Sequence, residues 1–138
     1  MAGWKMFAIV LPIFLVLDFL WLGVLMKGFY NQELGDLARR QDGALAPRWP
    51  AAILVYVLIP AGAVLFVRPM LGAGVPLWQA FALGATYGCV VYGVYDLTNL
   101  AVIEKWTVRM TAIDMAWGSL ACGLISVVMK LIDGRGAN

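Results

Sequence analysis

Four apolar runs, each long enough to cross a bilayer, constrain this chain more than any other feature. A spanning helix needs about 20 predominantly apolar residues, and Trp4 to Met26, Pro50 to Val67, Trp78 to Ile103 and Met110 to Ile132 meet that need within 138 residues. The chain is 63% hydrophobic and 13% charged, with a mean hydropathy of +0.86. That is more apolar surface than one soluble core of this size hides, so a water-soluble enzyme is excluded. The expected architecture is all-α, a four-transmembrane-helix bundle forming a single integral membrane domain over residues 1–138.

The residue types present narrow the chemistry. No histidine occurs, which removes the commonest ligand for zinc, haem and di-iron sites. Cys89 and Cys122 form no Cys-x-x-Cys pair, so a thiol oxidoreductase is disfavoured and both read as small packing residues. Ten Lys/Arg against eight Asp/Glu leave a net charge of +2. No basic run tracks a phosphate backbone, and nucleic acid is not an expected partner. Lys5 followed by an apolar run superficially resembles a secretory signal, but no small-x-small site precedes Asp18 and Trp21, so the segment reads as a retained first span.

The ends of the spans are marked. Lys5, Lys27, Arg68, Lys105, Arg109 and Lys130 lie at or near them, where long cationic side chains reach headgroups. Trp4, Trp49, Trp78 and Trp106 sit at the same boundaries, as an interfacial aromatic belt requires. The long first connection places Tyr30, Leu34, Leu37, Ala38 and Gln41 at helical spacing, which predicts a short interfacial amphipathic helix. Loops one and three carry six cations, Lys27, Arg39, Arg40, Arg48, Lys105 and Arg109, against four at the other end, Lys5, Arg68, Lys130 and Arg135. The positive-inside rule then places loops one and three in the cytoplasm.

Small residues show where helices approach. Gly84, Gly88 and Gly93 on the third span, and Gly118, Ser119, Cys122 and Gly123 on the fourth, form small-x-x-x-small faces for close packing.

Against this background, Asp18, Asp96 and Asp114 stand inside predicted spans. Each costs about 2.5–3.5 kcal/mol near a helix centre, so such residues face a bundle interior or a wet cavity. At a rise of about 1.5 Å per residue, Asp18 and Asp96 lie roughly 12 Å from the loop-one end and Asp114 roughly 7 Å. All three belong to one leaflet. No lysine or arginine lies deep enough to neutralise them, which leaves a bound proton, a shared proton or an external cation. Tyr92, Asp96 and Asn99 share a face of the third span, with Tyr95 and Thr98 beside it.

Asp18–Trp21 and Asp114–Trp117 are both Asp-x-x-Trp, a spacing that puts carboxyl and indole on one helix face. Composition alone gives about 0.26 such pairs. Because the first and fourth spans run in opposite directions, Asp18 should lie level with Trp117 and Trp21 with Asp114, each indole donating to the opposite carboxyl. This arrangement carries an inverted pseudo-symmetry of the kind that builds midplane sites in transporters.

At Tyr95-Asp96-Leu97-Thr98-Asn99-Leu100-Ala101, Asp114-Met115-Ala116-Trp117-Gly118, Asp18-x-x-Trp21-x-Gly23, Pro60 and the Gly-rich third span, the chain resembles a family of uncharacterised bacterial integral membrane proteins, the domain of unknown function two-one-seven-seven. The resemblance covers nearly the whole chain and implies a bacterial inner-membrane location, four helices and a loose association with lipid-modifying enzymes. It carries over no activity and no cofactor.

The leading functional reading is a site that binds or acts on a small amphiphilic or cationic molecule, with a lipid-linked ligand included. Asp18, Asp96 and Asp114 would be proton carriers or counter-ions, Tyr92 and Asn99 hydrogen-bonding groups, and Trp21 and Trp117 walls. The alternatives are a proton- or cation-coupled transporter component, completed by a homo-oligomer, and an accessory subunit of a larger membrane enzyme. Against all three stands a purely structural role, since interhelical hydrogen bonds average about 0.6 kcal/mol yet fix helix packing. The spacing matches no metal motif, and no cofactor is specified.

Overall fold

The computed structural model describes residues 1–135. It contains the four long helices expected of an all-α membrane bundle: α1 (Gly3–Leu25), α3 (Trp49–Met70), α4 (Leu77–Val102) and α5 (Val108–Arg135). A short helix, α2 (Lys27–Leu34), follows α1. Inside a bilayer the backbone has no water to bond, so each apolar run closes its hydrogen bonds within itself.

The bundle is organised around α5. Trp117, Ala121, Cys122, Ile125 and Met129 from this helix form the middle of the main core, against Met6, Val10 and Phe14 of α1 and Ile59, Ala63 and Val67 of α3. On α1 the buried residues Met6, Val10, Phe14 and Asp18 recur every fourth position, the spacing that keeps one face of a helix against its neighbour. That stripe ends on a carboxyl.

Helices α4 and α5 approach to backbone contact. A Cβ placed on Gly88 would meet the carbonyl carbon of Gly118 at 2.6 Å, and one on Gly84 would meet Ser126 Cβ at 2.6 Å. The small-residue faces therefore form the α4–α5 seam. Large apolar side chains such as Phe19, Leu25, Leu65, Phe66, Trp78 and Val94 point outward, as helices surrounded by lipid tails require.

Two stretches are wound more widely than an α-helix, Phe19–Leu25 at the end of α1 and Ala63–Val67 in α3. The second follows Pro60, which has no N–H to give to the preceding turn. The first begins immediately after Asp18 and includes Trp21, with the Met26 amide reaching back to the Trp21 carbonyl at 2.8 Å. Such local widening often occurs at functional sites.

The two ends are tied differently. At the end holding the N-terminus, Arg68 donates to both oxygens of Asp133 at 2.8 Å, and Lys130 Nζ donates to the Gly72 carbonyl at 2.6 Å. At the other end Glu33 accepts a short hydrogen bond from Thr107 and faces Arg109 at 3.5 Å, while Lys105 lies 3.7 Å from Asp36. Loops one and three thus share a face. Arg135 is described in its backbone alone, so its charge is not placed.

The first connection corrects one expectation. The helix predicted through Gln41 stops at Leu34; Gly35 takes φ +43, a single 3₁₀ turn follows at Gly35–Leu37, and Arg40–Gln41 pairs antiparallel with Ala44–Leu45. The reason is the Asp42-Gly43 turn, with φ of 50 and 79. Two successive positive φ angles are what a tight two-residue hairpin needs, and Asp-Gly supplies them. Trp106 also departs from expectation. It is buried, not part of an exposed belt, packing with Tyr30 and Met110 and donating from Nε1 to Thr111 Oγ1 at 3.1 Å.

Candidate functional site

The two Asp-x-x-Trp motifs meet between α1 and α5. Trp117 Nε1 donates to Asp18 Oδ1 at 3.0 Å in a buried contact. The indoles of Trp21 and Trp117 stack with centroids 4.6 Å apart and planes 1° from parallel, a geometry worth about 0.5–1.5 kcal/mol beyond the area it buries. The reciprocal contact runs through a third residue. Trp21 Nε1 donates to the Tyr30 hydroxyl at 3.0 Å, and that hydroxyl donates to Asp114 Oδ1 at 2.7 Å.

Tyr30 comes from α2, outside the spans, yet it is only 5% exposed. Burial first, and then the neighbouring Asp114 charge, hold its phenol above the ordinary range, so it remains a donor at neutral pH. Replacing Tyr30 with Phe keeps the ring and strands an indole N–H and a carboxyl together. The expected loss is about 1.5–3 kcal/mol, the range for a hydrogen bond to a charged group, read as a lower thermal unfolding midpoint in detergent. An unchanged midpoint would show that α2 is not anchored by this contact.

Asp18 has a second neighbour in the Tyr56 hydroxyl of α3. Tyr92 lies with its ring against Gly118, where a Cβ would fall 2.8 Å from its Cδ1, and it is within electrostatic range of Asp18 and Asp114. Asn99 lies against Tyr95. No hydrogen bond among the described residues joins Asn99 to an aspartate.

Asp96 is the exception to this pattern of satisfied contacts. It is 0% exposed, and no donor group of the protein reaches Oδ1 or Oδ2. Its carboxyl faces that of Asp114. Buried polar atoms are nearly always bonded, so two orphaned oxygens on one side chain require a specific explanation. The three carboxyls do not converge as a set. Among the described residues no group of three His, Cys, Asp or Glu side chains is arranged to hold a metal ion. Asp96 and Asp114 form a pair, beside a separately satisfied Asp18.

Two residues of this cluster, Tyr30 and Tyr56, lay outside the sequence expectations. Tyr30 falls on the apolar face of the loop helix, and nothing local marks it as reaching a carboxyl 84 positions away.

Four span-length apolar helices packed around buried acidic and aromatic side chains define a membrane protein. More particularly, the chain belongs to the family described as "Predicted membrane protein (DUF2177)", whose sequence model matches residues 3–131. No curated protein and no solved structure matches it.

Proposed function

We propose that Asp96 and Asp114 form an intramembrane exchange site for one positive charge, carried in turn by a proton and by the cationic group of a small amphiphilic molecule. The protein would act in the bacterial inner membrane, with loops one and three in the cytoplasm. The observation that carries this reading is Asp96 itself, fully buried with two free acceptor oxygens facing a second carboxyl.

Magnitudes separate this from a structural role. Two like charges about 4 Å apart repel by about 4 kcal/mol at an effective dielectric of about 20. Interhelical hydrogen bonds contribute about 0.6 kcal/mol each. Asp18 and Asp114 make such bonds with donor groups of the protein, whereas Asp96 meets only the Asp114 carboxyl, which bonds to it only through a proton held between them. Packing therefore gives a reason for the first two carboxyls and none for the third. A single positive charge between Asp96 and Asp114 relieves the repulsion and satisfies the orphaned oxygens. The stacked Trp21–Trp117 pair and Tyr92 supply apolar walls suited to an amphiphile.

Equilibrium dialysis with tetraphenylphosphonium, a lipophilic cation, tests the reading. Purified protein should bind it saturably, Asp96→Asn should lose at least tenfold in affinity, and Asp36→Asn, altered on an exposed loop carboxyl, should bind as the parent does. Equal binding by the parent and Asp96→Asn would refute the assignment.

A further inference from the structure

The loop-one hairpin carries a cluster of arginines apart from the buried carboxyls. Three arginines lie in or beside it, and the structure uses them differently. Arg40 is built into the fold: its guanidinium donates to Asn31 Oδ1 at 3.2 Å, to the Asn31 carbonyl at 3.1 Å and to the Gly35 carbonyl at 3.4 Å. Arg39 and Arg48 make neither a salt bridge nor a side-chain hydrogen bond among the described residues. The hairpin register continues one step past the strands, the Ala46 amide donating to the Arg39 carbonyl at 2.9 Å. That pairing carries Arg39 back toward Arg48 and the start of α3. Together with Gln41, Ala46, Pro47 and Trp49 they line an open surface hollow of about 500 Å³.

Two exposed, unpaired guanidiniums on one hollow leave their planar donor forks free for an anion, and those forks match phosphate oxygens. The nearby acids do not fill that role: Glu33 and Asp36 face Arg109 and Lys105, and Asp42, at the hairpin turn, makes no ion pair with either arginine among the described residues. Trp49, 65% exposed, begins a span-length helix, the level at which tryptophan meets headgroups. We propose that Arg39 and Arg48 form a binding site for a phosphate group at the membrane interface.

The test uses the whole protein in detergent micelles, with phosphatidylglycerol and phosphatidylcholine as fluorescent probes and inorganic phosphate as a competitor. Phosphatidylglycerol should bind more tightly than phosphatidylcholine. Arg39→Gln and Arg48→Gln should each weaken it about fivefold, the equivalent of about 1 kcal/mol per basic residue near a lipid surface, while Lys5→Gln at the opposite end should not. Millimolar phosphate that displaces the lipid, in a manner lost in the two variants, identifies the same site with a soluble phosphate compound as its ligand; no displacement identifies the lipid headgroup. Equal binding of the two lipids with no phosphate effect, or binding unchanged in both arginine variants, would overturn the proposal.

Discussion

Asp96→Asn is expected to make the protein more stable and functionally inert. The native carboxyl is buried with no donor group of the protein on it and faces Asp114, so the pair avoids repulsion only while a proton or another cation lies between them. An asparagine of nearly the same shape removes a charge and offers an N–H₂ group to the Asp114 oxygens. Leaving a buried polar group unsatisfied costs about 1–3 kcal/mol, and most of that should return as a higher thermal unfolding midpoint. Asp114→Asn should gain less, because it relieves the same repulsion but replaces the carboxylate that accepts from Tyr30 at 2.7 Å with a weaker amide acceptor. Stability sacrificed at a working site is a recurrent trade. A lower midpoint for Asp96→Asn would instead make Asp96 a structural residue.

Gly88→Leu is expected to abolish the native bundle. A side chain at this position meets the Gly118 carbonyl carbon at 2.6 Å and Cys122 Cβ at 2.9 Å, and backbone cannot rotate aside as a flexible side chain does. Even alanine should cost about 1–3 kcal/mol, the usual range for overpacking a tight contact. The consequence reaches the site directly, since Gly118 supports the Tyr92 ring and Asp96 lies on the same helix, α4. Size-exclusion profiles in detergent should show aggregated Gly88→Leu and a monodisperse Gly28→Ala, altered where nothing lies within 4 Å. A monodisperse, normally stable Gly88→Leu would mean that α4 and α5 are not in backbone contact.

The parts that were legible in the sequence share a physical cause. Bilayer-length apolar runs leave the backbone no choice but helix, and the four helices fall within a few residues of their expected limits. The Asp-x-x-Trp repeats are local signals, and antiparallel helices place them side by side, so the Trp117 to Asp18 contact follows from spacing alone. What spacing misses is the interloper. Tyr30 reaches Asp114 only because α2 folds back under the bundle, and the wide turn at Phe19–Leu25 changes where Trp21 points. Periodicity also misled in the first loop, where residues that fit a helical face were divided by Gly35 and the Asp42-Gly43 turn. Asp-Gly flanked by short extended segments was the signal to weigh there. Trp106 shows the same limit: its position at a boundary was correct, but burial by Tyr30 and Met110 depends on a packing partner far away in sequence.

Proton release reports on whether Asp96 and Asp114 exchange one positive charge. Protein in weakly buffered detergent solution with a pH-sensitive dye should release about one proton for each tetraphenylphosphonium bound when the cation replaces the shared proton, and Asp96→Asn should release none. Saturable binding without proton release, or equal release from Asp96→Asn, would contradict that exchange.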